Sequence, residues 1–214
     1  MGMAKLRVHN LSVSLDGYAA GPDQSPAEPL GVGGEQLHEW MFRTAHWRAR
    51  TGEPGGETGI DDDFLRRGDE NIGAHILGRN MFGPVRGPWG DSDWKGWWGP
   101  EPPYHHPVFV LTHHAHDPIE MAGGTTFFFV TDGIESALEQ AVTAAGGQDV
   151  RLGGGAATVR QYLRAGLVDE LHVAVVPLLL GGGERLLGDG VGGDLTVAEF
   201  VPSPSVAHVR LVRA

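Results

Sequence analysis

The chain contains no cysteine. Disulfides, thiolate metal sites and a cysteine nucleophile are thereby excluded. Basic residues are also scarce: 16 Lys and Arg stand against 27 Asp and Glu, for a net charge of −11. Non-specific binding to nucleic acid or to an anionic membrane needs basic surface, so neither partner is expected. No apolar run reaches membrane-spanning length and no signal-peptide pattern is visible, so the expectation is a soluble cytoplasmic protein. A GxSxG elbow is missing, which argues against a serine hydrolase built on Ser12 or Ser14. His105, His106, His113, His114 and His116 crowd together without an HExxH pattern or matching carboxylates, so no metal is expected.

Glycine is plentiful, at 34 of 214 residues, and 41% of the chain is apolar. That is an ordinary globular composition, and the length fits one domain over residues 1–214. The segment that organises the rest is Asp149–Thr158, continuing to Arg164. Val150 and Leu152 alternate as in a strand, Gly153, Gly154 and Gly155 interrupt it, and Val159, Tyr162 and Leu163 resume at helical spacing. Strand, glycine turn and helix together aim free backbone N–H groups and a positive helix end at one spot, which suits a phosphate. The third glycine of GxGxxG is absent, as is a P-loop GK[ST]. A plain turn therefore stays open beside the phosphate reading.

In chain order, Lys5–Val13 reads as a strand ending in the turn Ser14–Tyr18, where Gly17 supplies a positive φ. A loop rich in Gly and Pro covers 20–34, and helical spacing runs from Glu35 to Trp47. Residues 50–59 read as a surface insertion and Asp61–Arg67 as a short helix. Gly73–Leu77 is a strand leading into Gly78–Phe82, a second strand-to-helix junction. An excursion with four tryptophans spans 83–107. Val108–Thr112 and Thr125–Val130 are strands, Gly133–Ala145 a helix, and Glu170–Val176 another strand. Pro177–Leu187 is an apolar segment containing a turn. Leu195–Val201 and Val206–Val212 close the chain as a hairpin. Alternating strands and helices imply an α/β sheet covered on both faces, closed by an antiparallel pair. If the strands are parallel, the junctions after Val13, Leu77 and Leu152 share the rim where such sheets bind ligands.

The ordered pieces Ser14–Tyr18, Gly78–Phe82, Val108–Thr112, Leu152–Gly155, Leu167–His172 and Gly181–Leu187 resemble the dihydrofolate reductase superfamily. The branch resembled is the reductase domain of the bifunctional riboflavin-biosynthesis deaminase-reductase. The similarity spans roughly residues 5–212. A deaminase half with its metal-binding cysteines is absent. The resemblance implies a three-layer fold with a mixed, mostly parallel sheet of about eight strands, NADPH as hydride donor, and a homodimer. By position it assigns Leu152, Gly154, Gly155, Ala156 and Ala157 to the cofactor's pyrophosphate side, with Gly78 and Arg79 opposite. It places Ser12 and Ala19 beside the nicotinamide, and Thr112, His113 and His114 at the 2′-phosphate. Asp16 and Glu39 become the candidate catalytic carboxylates, and Asp16, Trp40, Phe42 and Glu184 the candidate substrate contacts. Three departures bear on function: Met81 stands where relatives carry a hydroxyl, histidines stand where relatives use an arginine or polar side chains, and Glu35 and Glu39 are both offered by the helix where dihydrofolate reductases carry one carboxylate for the pterin. The implied reaction is hydride transfer to a pyrimidine- or pterin-like heterocycle, or to a carbonyl or imine. The alternative is a nucleotide-binding protein of the same fold without catalysis.

Overall fold

A computed structural model describes residues 4–84, 87–90, 93–188, 191 and 194–214. Eleven strands occur among these residues. They are β1 (Leu6–Ser14), β2 (Tyr18–Ala20), β3 (Ile72–Gly78), β4 (Pro107–Leu111), β5 (Ile119–Glu120), β6 (Thr126–Val130), β7 (Asp149–Gly154), β8 (Glu170–Val176), β9 (Glu184–Arg185), β10 (Leu195–Pro202) and β11 (Ala207–Arg213). Nine form one sheet in the order β10-β11-β8-β1-β7-β3-β4-β6-β5, while β2 and β9 make a small antiparallel ribbon. From β8 across to β6 every neighbour is parallel; β11 and β10 continue antiparallel on one edge and β5 on the other. The expected mixed, mostly parallel sheet with a closing hairpin is therefore present, with nine strands instead of about eight.

Among the described residues six α-helices flank the sheet: α1 (Glu39–Phe42), α2 (Ala45–Arg50), α3 (Ile60–Asp69), α4 (Arg79–Phe82), α5 (Ile134–Ala144) and α6 (Ala156–Arg164). The single helix expected over 35–47 is broken into a 3-10 turn at 34–38, then α1, then α2. Thr44 causes the second break. Its backbone is extended, its hydroxyl donates to the Met41 carbonyl at 2.8 Å, and the same oxygen accepts from Trp47 N–H at 3.2 Å. One side chain thus ends α1 and caps α2, a local bond that periodicity cannot register. β5 and β9, of two residues each, are too short to show a pattern in the sequence.

The strands alternate, so the two faces of the sheet receive different residues. On one face α5 and α6 press Ala137, Ala141, Val159 and Tyr162 onto Val8, Val150, Leu152 and Ile76. The Tyr162 hydroxyl donates to the Ile134 carbonyl at 2.8 Å, tying the two helices together. On the other face apolar packing is split. Leu37, Trp40 and Leu65 cover Ala174 and Val176, whereas Leu77, Phe82, Val110 and Phe127 form a separate patch beneath the tryptophan excursion. Between those patches the strands contribute Arg7, His9, His75, Arg151, Glu170 and His172, and β11 adds His208 and Arg210.

Candidate nucleotide-binding rim

β1, β7, β3 and β4 are adjacent and parallel, so Ser14, Gly154, Gly78 and Leu111 end on one rim. Leu77 pairs with Gly154, which brings the two glycine junctions side by side. A Cβ at Gly78 would lie 2.2 Å from Thr158 Oγ1, so any side chain there would strike α6. Gly154 has φ +116° and is joined to Gly155 by a cis peptide. α6 starts directly after, with Gly155 as its N-cap. Helix geometry leaves the Ala156 and Ala157 amides without intrahelical acceptors. This is a cradle of backbone at a positive helix end, and its glycines carry no side chain to block approach. Met81 stands over it, 3.8 and 3.9 Å from the Cβ positions of Gly154 and Gly155.

A cationic arm lies next to the cradle. Arg79 Nη1 donates to Thr112 Oγ1 at 2.7 Å, and its guanidinium carbon sits 3.1 Å from the Trp89 ring centroid. Trp89 in turn donates to the His114 carbonyl at 2.9 Å, and Thr112 Oγ1 accepts from His114 N–H at 3.2 Å. The expected cofactor residues Arg79, Thr112 and His114 are thus brought together at the ends of β3 and β4. His113 is exposed beside them. Ser12 is buried on β1 and accepts from Trp40 Nε1 at 2.9 Å; Ala19 lies on β2, half-buried.

The expected acidic and aromatic groups sit as follows. Asp16 accepts from the backbone N–H groups of Leu180 at 3.1 Å and Gly181 at 2.7 Å. Bonding to Ser14, reinforced by those two amides, lowers its pKa to about 2. Its carboxylate therefore pins loop 177–183 to the β1–β2 turn. Glu39 is solvent-facing and pairs with Arg43 at 3.4 Å. Glu184 pairs with Arg160 at 3.6 Å across from α6. Trp40 is buried against His208, with ring centroids 5.3 Å apart, whereas Phe42 stays half-exposed.

Sequence reasoning missed two features on the same face. First, Phe42, Trp47 and Trp98 form an aromatic row, at 5.1 and 6.3 Å between successive centroids, joining α1 and α2 to the excursion after α4. Second, Arg151 pairs with Asp69, which also binds Arg50 and His46 at 2.8 Å each, while His75 Nδ1 meets His106 Nε2 at 2.5 Å. Burial drives the His75 pKa well below its ordinary value, helped by Arg151, and holds His106 at about 4. The polar alternation of these strands was the available signal. His38 also went unnoticed: both its ring nitrogens are buried without a hydrogen-bond partner, and burial lowers its pKa to about 4. Among the described residues no cluster of three metal-ligating side chains occurs.

The model of the RibD C-terminal domain matches residues 7–203, and the chain belongs to that family. Solved structures agree on the fold. A Shewanella sp. PV-4 protein provisionally assigned to riboflavin biosynthesis is 21% identical with a TM-score of 0.62, each chain covering 99% of the other. The Thermotoga maritima diaminohydroxyphosphoribosylaminopyrimidine deaminase/5-amino-6-(5-phosphoribosylamino)uracil reductase gives 15% and 0.58, and Acinetobacter baumannii RibD gives 14% and 0.54. The present chain covers 99% and 100% of itself in those two matches, but only 57% and 59% of the longer proteins. No curated protein matches the sequence. The family is that of the RibD C-terminal domain, and the fold is reductase-like.

Proposed function

We propose that this chain is a single-domain, cytoplasmic NADPH-dependent reductase of a small flat heterocycle or a carbonyl or imine compound. The observation that carries the reading is the joint rim of Gly78, Gly154 and Gly155 with the N-terminus of α6 beside it. The residues present suit a dinucleotide: bare backbone at the glycines, free amides at Ala156 and Ala157, and a cation at Arg79 for a phosphate. Thr112, His113 and His114 extend the contact on one side, and Ser12 and Ala19 wall the nicotinamide side, whereas Leu152 lies in the core beneath α5 and α6 and supports the glycine turn from below. When bound, the nicotinamide supplies the hydride. The chain's own residues position and dry the two reactants.

Asp16 is ionised at neutral pH and holds the loop that carries Gly181, so we assign it positioning instead of proton donation. Glu39, at the start of α1, is left to relay a solvent proton. Phe42 offers a ring face to a heterocycle, Trp40 is buried against Ser12 and His208 instead of facing a ligand, and Glu184 borders the loop side. A second reading, a nucleotide-binding protein without turnover, is favoured by one observation. All three candidate carboxylates, Asp16, Glu39 and Glu184, already have partners.

Titration with NADPH separates the readings. Binding should raise the unfolding midpoint, and Arg79→Met should weaken NADPH roughly tenfold, about 1.4 kcal/mol, with less effect on NADH. No shift with either nucleotide would sink both. Binding without turnover across pterins, pyrimidines and carbonyl compounds would leave the second.

A further inference from the structure

His38 stands apart among the buried polar groups. Among the described residues four side chains carry a dry nitrogen or oxygen without a hydrogen-bond partner: His9, Asn10, His38 and Arg48. Three of them are bonded through another atom. His9 Nε2 meets Glu170, Asn10 Nδ2 donates to the Leu65 carbonyl at 3.2 Å, and Arg48 Nη1 donates to the Pro54 carbonyl at 3.5 Å. In His38 both ring nitrogens are unpaired, so the whole imidazole has left water without a replacement. It occupies the N-cap position of α1 and makes no cap bond. Burial lowers its pKa to about 4 with no charged side chain contributing, so the ring is neutral at pH 7. A neutral imidazole carries one donor and one acceptor, and here both are unmet. Dry, unpaired groups of this kind destabilise a fold, and a fully unpaired ring calls for a partner from outside it.

The place of the ring narrows what that partner is. Leu37 and Trp40 turn inward onto Ala174 and Val176 of β8, while Glu39 faces solvent. His38 and Phe42, four residues apart, share the flank between, with ring centroids 6.4 Å apart. That flank faces the excursion after α4: Phe42 lies 5.1 Å from Trp47, and Trp47 lies 6.3 Å from Trp98. The apolar patch holding Leu37 and Trp40 sits over β8, and the patch holding Leu77 and Phe82 over β3, β4 and β6. β1 and β7 run between them in the sheet. His38 and Phe42 therefore look from one patch toward the other across β1 and β7. The glycine turn at the end of β7 closes the same interval at the rim. Trp40 holds the segment in register there, through its bond to Ser12, two residues short of the end of β1.

A planar ligand between the patches would have Phe42 against its face and His38 against its edge. The ring nitrogens are dry although the residue as a whole is half-buried, so rotation about the side-chain torsions suffices to present one of them. The candidate carboxylates are engaged elsewhere: Asp16 with the Leu180 and Gly181 amides, Glu39 with Arg43, and Glu184 with Arg160. His38 is the polar side chain of this flank with its bonding capacity intact.

We propose that His38 recognises the substrate, donating a ring N–H to the C=O or C=N group of a flat compound stacked on Phe42. The assignment rests on the reductase reading above and adds to it the residue that reads the substrate's polar group.

The test compares His38→Leu, similar in volume but without donor or acceptor, with His38→Gln, which keeps both. Three quantities are measured on the full chain: the unfolding midpoint without ligand, the NADPH Kd, and kcat/KM for whichever pterin, pyrimidine or carbonyl compound wild type reduces. His38→Leu should unfold at or above the wild-type midpoint and bind NADPH within about twofold of wild type, yet lose about thirtyfold in kcat/KM. His38→Gln should recover most of that loss. Should the leucine variant not fold, His38→Phe serves as the ring without nitrogens. Wild-type kcat/KM in the leucine variant would overturn the role of His38 and leave the reductase reading standing. A lowered midpoint together with weakened NADPH binding would also overturn it, by showing that the imidazole is paired within the fold. No NADPH oxidation by wild type with any compound of the panel would remove the reductase reading, and this role with it.

Discussion

The two faces of the central sheet solve the burial problem in opposite ways. Beneath α5 and α6 the strands present Leu6, Val8, Ile76, Val150, Leu152 and Leu171, all nearly inaccessible. Stability there comes from removing hydrocarbon from water, about 25 cal/mol for each Å², with no partner geometry to satisfy. Beneath α1–α3 the same strands present ions and imidazoles. Glu170 receives His9 and Arg210 and lies 3.8 Å from Arg7; Arg151 binds Asp69. Asn10 N–H donates to His172 Nδ1 at 3.1 Å, His172 Nε2 meets His208 Nδ1 at 3.0 Å, and His208 Nε2 meets Asp61 Oδ1 at 2.8 Å. Since Asp61 can only accept and Asn10 N–H can only donate, the proton positions in that row follow, and both imidazoles are neutral. One face tolerates changes of shape poorly. The other tolerates the loss of any single partner poorly.

The largest effect should come from breaking an ion on the polar face. Burial would raise the Glu170 pKa, but His9, Arg210 and Arg7 outweigh it and hold it at about 2. Glu170→Gln leaves two arginines short of a charge and should cost about 3–5 kcal/mol in guanidinium unfolding. A loss below about 1 kcal/mol would show the network to be solvated. On the apolar face Leu152→Ala should cost about 3 kcal/mol through its cavity, equally at pH 7 and pH 5. A strong pH dependence of that loss would contradict the division between the faces.

Acid sharpens the contrast. Burial, reinforced by nearby cations, lowers the His172 pKa from 6.5 to about 2. Between those values the unfolded chain binds a proton that the folded chain does not, so stability is full above pH 6.5 and falls as pH drops. At pH 5 His172 alone accounts for about 2 kcal/mol. His9, His75 and His208 shift in the same direction, each with burial as the leading cause. Urea midpoints between pH 7 and 5 should fall, and His172→Gln should flatten the slope by about one proton. An unchanged slope would mean that His172 does not titrate differently on unfolding. The smallest effect belongs to Glu39→Ala, because an exposed i,i+4 pair with Arg43 is worth little. Its unfolding midpoint should match wild type, and a clear loss would place Glu39 in the fold instead of on its surface.

Much of this was legible in the chain itself. Alternating Val150 and Leu152 stopped by three glycines announced strand, turn and helix, and that element is β7, the turn and α6. The order of strands and helices implied the parallel sheet and a shared rim for its glycine junctions. The polar alternation was equally visible, as Arg7 and His9, Asp149 and Arg151, Glu170 and His172 recur every second residue. What could not be read was where those side chains meet. Their partners lie far along the chain, as with Arg67 and Glu199, 132 residues apart.

The sequence by itself determined the periodicities, the glycine junctions and the absence of thiol chemistry, because each depends on neighbours within a few positions. Tertiary structure alone decided that Gly78 and Gly154 would adjoin and that Asp16 would be spent on an amide pair. It alone left Val197 and Phe200 exposed on the hairpin. These outcomes depend on strand order, and strand order brings residues together without regard to their separation along the chain.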